Sequence, residues 1–212
     1  MLSIGAWWLN AKERETDRIA TAEREKIDRE LTEIRREIDS EIPLERQRQT
    51  TLEAYYDRMT ALLLKEELLK SAEDDPVRRI ARAQTLATLS SLDDKRKGQV
   101  IRFLYEADLI NRNAVIVRLE EADLIGVDLS EVGLRGANLE GTSLYHANLR
   151  GTDLREADLS RTNLVGANLR GAKLDGAKLG GANLYMTEYN ANTRWPEDFD
   201  PKAVRVFLVE ED

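Results

Sequence analysis

Through the C-terminal half of the chain a leucine recurs at every fifth position, and this period restricts the possible folds more than any other feature. The leucines occupy positions 119, 124, 129 and every fifth position up to 184, and Tyr189 continues the frame. An alanine, threonine or valine stands two positions before each of them. Side chains repeat their direction about every 3.6 residues in an α-helix and about every 2 in a strand, so neither element alone explains a period of five.

The period instead predicts a four-sided coil. If each leucine and the small residue two positions before it both point inward, as alternate strand residues do, the next two residues must turn a corner. Glycine stands at the second position after leucine at 126, 136, 141, 151, 166, 171, 176 and 181, and glycine adopts corner backbone angles without a Cβ clash. Four sides close a coil of about 20 residues, and coils stacked about 4.8 Å apart give a leucine-filled prism about 18 Å tall.

At this point the sequence resembles the pentapeptide repeat family, whose pattern A(D/N)LXX is present here as ANLEG, ANLRG and ADLSR. The resemblance covers about a third of the chain. It implies a right-handed coil and a role in protein binding. The segment WPEDFDP, residues 195–201, resembles the tail that follows such repeats in many bacterial, often cyanobacterial, members, and we interpret it as a cap on the last coil.

Residues 1–112 have a helical pattern instead. From about residue 11 to residue 39 the sequence is highly charged, with a single apolar line whose spacings of seven, four, three and four suit a coiled-coil seam. The seam consists of Ala20, Ile27, Leu31, Ile34 and Ile38. So narrow a line buries little alone, so a partner helix is expected, from this chain or from another copy. A homo-oligomer through the N-terminal helices follows from the second possibility.

The predicted fold class is therefore α+β, with a long charged helix, three shorter helices and a right-handed quadrilateral β-helix with a C-terminal cap. Pro43 is expected to break or kink the helix, and the shorter helices are predicted at about 44–71, 76–92 and 94–109. The segment LDDKRKGQVIRFLYEADLI resembles the one that precedes the repeats in family members, where it is expected to cap the first coil. The expected divisions are 1–42, a charged helix forming a coiled coil or membrane-proximal stalk; 43–112, the helical cap of the β-helix; 113–191, the repeats; and 192–212, the C-terminal cap.

The first residues contain a tryptophan pair, Trp7 and Trp8, followed by Lys12 and Arg14. Such a pattern is typical of the interfacial end of a transmembrane helix, but the apolar run MLSIGAWWL is shorter than the roughly 20 residues that a span needs. In cyanobacterial-type relatives a membrane span often lies upstream, which the resemblance implies here as a membrane contact. The alternative is that the tryptophans pack on the protein or on another copy. The expected location is cytoplasmic, at the cytoplasmic face of a membrane if that contact exists.

Residues 20 apart form columns on the predicted prism, and one column is apolar. Ile125, Tyr145, Val165 and Tyr185 follow the leucines of one side, and Gly126, His146, Gly166 and Met186 lie next to them. Exposed apolar and aromatic surface on a polar protein favours partner binding. The candidate partner-binding residues are Ile125, Tyr145, Val165, Tyr185, His146 and Met186. The alternatives are that the helices of this chain cover the column or that the column has no role. The same columns predict salt bridges between coils for Asp158 with Lys178 and for Asp153 with Lys173.

The residues do not suggest catalysis. The chain has no cysteine and one histidine, which excludes disulfides, thiolate metal sites and cysteine nucleophiles. His146 has no neighbours that would make a triad or a zinc motif. The carboxylates lie on convex repeat faces or on charged helices, where no cleft pairs them. We therefore expect no enzyme activity, no cofactor and no metal site.

Three functions remain. The first is a protein-interaction or scaffold module that binds through flat β-helix faces, membrane-tethered in one version. The second is a DNA mimic that inhibits or protects a type II topoisomerase, as some family members do. That role needs a strongly acidic prism, whereas residues 117–190 carry 11 acidic and 8 basic side chains. The third is self-assembly alone. Nucleic-acid binding is not expected, since no basic face stands out.

Overall fold

The computed structural model describes residues 4–209, and within its first helix it describes the side chains of Glu15, Arg18 and the residues from Thr21 onward. The chain divides into two compact units, Met1–Gln47 and Arg48–Asp212. Of the helices in the described range, none has both the length and the apolar composition that crossing a membrane requires.

In residues 4–209, three α-helices precede the repeats, not the four predicted. The first, α1, covers Ile4–Leu64 and contains Pro43, so the predicted break at this proline is wrong. A proline inside a helix removes one hydrogen bond and crowds the preceding turn. Around Pro43 stand mainly glutamate, arginine, glutamine and leucine, which favour helix. Their combined preference outweighs the local cost of the proline.

Two shorter helices follow in the second unit: α2 covers Pro76–Leu89 and α3 covers Asp94–Glu106. A short 3₁₀ turn, Leu68–Lys70, lies between α1 and α2. The predicted start of α2 is confirmed, because the Asp75 carboxylate accepts a hydrogen bond from the Val77 amide at 2.9 Å and Pro76 occupies the first turn. Asp93 caps α3 in the same way, accepting from the Arg96 amide at 3.1 Å.

The end of α1 packs with α2 and α3 in a small apolar core. Tyr55 is buried there, and its hydroxyl lies 3.0 Å from the hydroxyl of Thr85 on α2. Its ring meets Phe103 of α3 edge-on, with 6.1 Å between ring centroids. Burial raises the pKa of the Tyr55 phenol. The hydrogen bond and the ring contact therefore join all three helices around one side chain.

Backbone bridges join residues 20 apart along the repeats, which confirms the predicted 20-residue coil of a β-helix. The bridged pairs include Asp123 with Ser143, Asp128 with Asn148, Gly133 with Asp153 and Asn138 with Asp158, one pair for each side. The repeat leucines are buried, apart from the half-buried Leu179. Threonines at the small inward position are buried as well, and their hydroxyls donate to backbone carbonyls, as Thr162 does to Leu139 at 2.9 Å.

Helix α3 lies against the open edge of the first coil. The Asp128 amide donates to the Asp94 carbonyl at 3.1 Å, and the Asn138 amide donates to the Ile110 carbonyl at 2.7 Å. Gly98 allows the close approach, because a Cβ atom at this position would overlap the Asp128 carbonyl oxygen. Strand groups at a coil end need such partners, since an unpaired edge invites association with other strands.

The last coil departs from the 20-residue register. Lys173 bridges to Arg194, 21 residues on, while the parallel strands β1, Glu188–Tyr189, and β2, Phe207–Leu208, pair Glu188 with Phe207, 19 residues on. Between these bridges the Trp195 ring stacks on Phe199 at 4.8 Å and meets Tyr189 edge-on at 5.6 Å. The segment after the repeats thus contacts the end of the prism through aromatic rings and backbone bonds.

Candidate functional site

The predicted column forms a continuous surface on the side of the β-helix that contains the inward leucines Leu124, Leu144, Leu164 and Leu184. We call it the apolar strip: Ile125, Tyr145, Val165 and Tyr185, with His146 and Met186 beside them. The bridges from Asp123 to Ser143, from Ser143 to Asn163 and from Asn163 to Asn183 fix its rows one above another. Three steps of about 4.8 Å make the strip about 14 Å long.

The strip is open to solvent. Ile125 is 47% exposed, Tyr145 38%, Tyr185 46% and Met186 47%. His146 is also exposed and Val165 is half-buried. Residues 48–209 therefore do not cover it. Single exposed apolar side chains occur elsewhere on the molecule, such as Leu69 and Ile80, so it is the grouping of these residues on one face that marks this surface.

Hydrogen bonds within three of the four repeats hold the strip residues at the corner. The side-chain oxygens of Asp123, Asn163 and Asn183 accept from the amides two residues on, at 3.1, 3.2 and 3.1 Å. These local bonds form turns that orient the next side chain outward. The strip is thus built on a fixed backbone.

Two strip residues occupy corners at a conformational cost. His146 and Met186 have φ of 54° and 58°, where the equivalent corners of the other two coils contain Gly126 and Gly166. A side chain in this left-handed region costs roughly 1–2 kcal/mol. Side chains are present here although glycine would fit the corner with less strain.

The His146 ring lies over the glycine corner of the next coil. A Cβ atom on Gly166 would stand 2.6 Å from the His146 Cε1 atom. The His146 ring also meets the Tyr145 ring edge-on, with 4.2 Å between centroids. The absence of a side chain at Gly166 therefore leaves the space that the His146 ring occupies.

A charged residue lies at each end of the strip, and neither was among the residues predicted from the columns. Near the first coil the buried Lys97 ammonium lies 3.3 Å from the Ile125 carbonyl oxygen and 3.5 Å from the Asp123 carboxylate. At the other end the Met186 amide donates to the Arg205 carbonyl, as the Gly166 amide donates to Tyr185. Arg205 thus continues the column, and it is exposed. Counting a further 20 residues from Tyr185 would have found it.

The charged columns agree only partly with the sequence. The predicted bridge between Lys178 and Asp158 is confirmed at 2.9 Å. Asp153 binds Arg155 instead of Lys173, with oxygen to nitrogen distances of 2.8 and 2.5 Å. Hydrogen bonding by Arg155 lowers the pKa of Asp153, although partial burial opposes it. The neighbour two residues away is the closer cation, which the 20-residue spacing alone does not show.

Other arginines of the prism also have carboxylate partners. Arg135 binds Glu156 at 2.5 Å, Arg170 binds Glu188 at 2.9 Å, and Arg161 pairs with Glu140. The prism surface is therefore mixed in charge around the apolar strip. Among the side chains that the structure describes, no group of three histidine, aspartate or glutamate residues could hold a metal ion.

The α1 seam is exposed in the first unit. Ile27, Leu31, Ile34 and Ile38 each leave about half of their surface in solvent. The side chains of Ala20, Trp7 and Trp8 lie outside the described residues, so the seam position at residue 20 and the membrane-proximal tryptophans stay predictions.

Comparisons with known proteins agree with the repeat geometry. A family model described as pentapeptide repeats matches residues 104–144 and 152–185, in eight copies. A crystal structure of a pentapeptide repeat protein from Nostoc Pcc 7120 is 36% identical, with 52% of this chain and 94% of that chain covered and a TM-score of 0.28. A search of curated proteins gives no match.

Two further solved structures are similar in sequence. Rfr23, a pentapeptide repeat protein from the cyanobacterium Cyanothece 51142, is 36% identical, with 37% of this chain and 56% of that chain covered and a TM-score of 0.34. HetL, from Nostoc sp. strain PCC 7120 and described as involved in heterocyst differentiation regulation, is 40% identical, with 29% and 33% covered and a TM-score of 0.17. The chain thus spans about half of the Cyanothece protein and a third of HetL.

Proposed function

The chain belongs to the pentapeptide repeat protein family, and from this premise we propose that its β-helix is a non-enzymatic protein-binding module whose contact surface is the apolar strip. The observation that carries the proposal is the grouping of exposed Ile125, Tyr145, Tyr185 and Met186 on a prism of otherwise polar and charged surface. Tyrosine and methionine are enriched at protein interfaces. A buried tyrosine is also among the side chains that contribute most to binding energy.

The backbone beneath the strip supports this function. Each row is fixed by hydrogen bonds to the next coil and by the turn bonds of Asp123, Asn163 and Asn183. A surface that is already ordered loses little conformational entropy when a partner binds. The polar residues Ser143, Asn163 and Asn183 border the strip and would form the hydrated rim of an interface.

The test is a pull-down that compares variants of the full chain. Tyr145→Asp and Tyr185→Asp together place two carboxylates in the strip, and we expect the specifically captured proteins to be lost. Arg150→Asp is the matched control, because Arg150 is exposed and follows a repeat leucine on the neighbouring side. Retention of every captured protein by the double variant would remove the strip from the proposed function.

We also propose self-association through the α1 seam, with a second copy as the occupant. In a heptad frame Ile27 and Ile34 fall at d, and Leu31 and Ile38 at a. In a parallel pair of helices Glu30 would face Arg35 of the other copy, whereas in an antiparallel pair Glu30 and Glu37 would face each other. In the same parallel pair Glu23 would face Asp28, and in the antiparallel pair Asp28 would face Arg35, so the flanking charges do not select an orientation. Leu31 and Ile38 at a with isoleucine at d follow the pattern of bundles of more than two helices, whereas Arg24 at the preceding a position departs from that pattern.

Measuring the mass of the full chain in solution tests the seam. Light scattering at several concentrations is expected to give a discrete oligomer, and Leu31→Glu with Ile34→Glu is expected to give the monomer. Ser40→Glu, an exposed position on the same helix, is the control and should keep the wild-type mass. A monomeric wild type at all concentrations would contradict self-association.

The membrane contact at Trp7 and Trp8, and with it a place at the cytoplasmic face of a membrane, are proposals that the sequence alone supports. Repeating the mass measurement with detergent tests them. Aggregates that detergent disperses are expected if the tryptophans insert into lipid, and a mass that detergent does not change would argue against it.

A DNA-mimicking inhibitor or protector of a type II topoisomerase is the weaker proposal. Its charge requirement is poorly met, since arginines such as Arg135, Arg161 and Arg170 neutralise carboxylates along the prism. An excess of the protein is expected to leave gyrase supercoiling unchanged, and inhibition would revive this function.

A further inference from the structure

A cavity of about 220 Å³ lies between the start of α2 and the segment that leads into the first coil. Four arginines and a single carboxylate line it, together with Val115 and Ile116. The charged residues are Arg78, Arg79, Arg82, Arg118 and Glu73. We call it the arginine cavity. It shares no lining residue with the apolar strip, and it lies within the second unit of the chain.

Two of these arginines are held in place by the protein itself. The Arg78 guanidinium donates to the Ser71 hydroxyl at 3.0 Å, to the Ser71 carbonyl at 2.5 Å and to the Val115 carbonyl at 3.2 Å. The Arg82 guanidinium donates to the Arg118 carbonyl at 3.2 Å and to the Glu120 carbonyl at 2.9 Å. These bonds tie α2 to the start of the repeats and fix the positions of two cations.

The bonds position the charges but do not neutralise them. Every acceptor used by Arg78 and Arg82 is a carbonyl or a hydroxyl, and none of these carries a formal charge. Arg118 pairs with Glu73, the carboxylate in the lining. The carboxylate of Asp75 nearby caps α2 and does not line the cavity. Three cations therefore face the cavity without an anionic partner in it.

Arg79 is the residue that a structural role does not explain. Within the part of the chain that the structure describes, its side chain makes neither a hydrogen bond nor an ion pair, and the residue is exposed. It stands in the first turn of α2, where the positive end of the helix dipole disfavours a cation. An anion in the cavity would pair with the Arg79 guanidinium, and its attraction would offset the repulsion between this cation and the helix dipole.

We propose that the arginine cavity binds a phosphoryl group. A guanidinium has five N–H donors in a planar fork, of which Arg78 uses three and Arg82 two in the bonds above. Such forks match the oxygens of a phosphate dianion and bind it with short, charge-assisted hydrogen bonds. The phosphoryl group can belong to a free phosphate compound or to a phosphorylated side chain of a binding partner, because both present the same oxygens.

Titration of the full chain with inorganic phosphate tests the site, with calorimetry as the readout and chloride at equal ionic strength as the reference. We expect saturable binding to the wild type that chloride does not reproduce. Arg79→Gln removes a side chain without an internal partner, so the fold is retained, and it should weaken binding about tenfold. Arg102→Gln, an exposed helical arginine on α3, is the matched control and should bind as the wild type does.

Phosphate heat no greater than that of chloride would overturn the proposal, and so would equal losses in Arg79→Gln and Arg102→Gln. A second titration, with a capped phosphoserine amide, identifies the source. Tighter binding of the amide than of phosphate supports a phosphorylated side chain, whereas tighter binding of phosphate supports a free compound. Neither result depends on the apolar strip, so failure here leaves the proposed binding function untouched.

Discussion

The two units of the chain differ in how far they bury similar apolar side chains. In the repeats, leucines such as Leu144 and Leu149 are fully buried within the chain, while Ile27, Leu31, Ile34 and Ile38 of α1 are about half exposed. Both regions are rich in charge, so composition does not separate them. What separates them is the spacing of their apolar residues along the sequence. A side of five residues turns inward and closes on its own coil, whereas a heptad line on one helix can be buried only by another helix.

Replacing a buried repeat leucine gives the largest difference between the two regions. Leu144→Ala removes a fully buried side chain from the axis and should lower the free energy of unfolding by about 2–5 kcal/mol. Ile34→Ala, measured where the chain is monomeric, should change it by less than about 0.5 kcal/mol. Urea unfolding followed by circular dichroism measures both. Equal losses would mean that the α1 seam is already buried.

Substituting Gly98 tests whether α3 and the first coil are stabilised together. Alanine favours helix over glycine by about 1 kcal/mol, yet a Cβ atom here overlaps the Asp128 carbonyl, so we expect a net loss of about 1–3 kcal/mol. Gly180→Ala is the control, because a Cβ atom there meets nothing within 4 Å. A stabilised Gly98→Ala variant would show that α3 can leave the coil at no cost.

The corners allow a sharper comparison inside the β-helix. Met186 has a φ of 58°, and Met186→Gly should raise the free energy of unfolding by about 0.5–1 kcal/mol while weakening partner binding. Tyr185→Gly, one residue earlier and outside the left-handed region, should lower it. If Met186→Gly is also destabilising, the methionine side chain contributes more to the fold than its exposure suggests.

The smallest expected effect is the loss of stability that protonation of Asp128 causes in acid. The Ser130 hydroxyl, its amide and Asn148 lower the pKa of Asp128 below its ordinary value of 3.8, against the opposing effect of burial. A carboxyl with a lowered folded pKa stabilises the protein above the unfolded value, and that stability is lost as pH falls through the folded value. Asp128→Asn and Ser130→Ala should each reduce the loss between pH 7 and pH 3 by about 0.3 kcal/mol, since the site is exposed. Urea unfolding curves at pH 7 and pH 3 measure this loss. If both variants lose as much unfolding free energy as the wild type does, the prediction is contradicted.

The repeat region could be predicted from the sequence because its register repeats. The 20-residue spacing alone is enough to place Ile125, Tyr145, Val165 and Tyr185 in one column, and it also pairs Asp158 with Lys178. It fails for Asp153, where Arg155 competes from two residues away. The five-residue frame ends before Arg205, so the predicted column did not include this residue, although it lies 20 positions after Tyr185.

The helical region was harder to predict because its contacts are not periodic. Pro43 indicated a break, yet neighbouring residues keep α1 helical. Gly98 gave no signal, since a glycine inside a charged helix does not reveal the carbonyl it must approach. The arginine cavity joins Arg78 and Arg118, which lie 40 positions apart and belong to no repeat. Only the packing of α2 on the first coil brings these side chains together.

The five-residue side has a consequence for any change in chain length. A coil closes after 20 residues, so one inserted pentapeptide would keep leucines on the axis but rotate everything after it by a quarter turn. Placed between Tyr145 and Tyr185, it would leave the two tyrosines on adjacent sides of the prism. An inserted run of 20 residues would lengthen the prism by about 4.8 Å and restore their alignment. The apolar strip therefore stays aligned only when the inserted segment is a whole number of 20-residue coils.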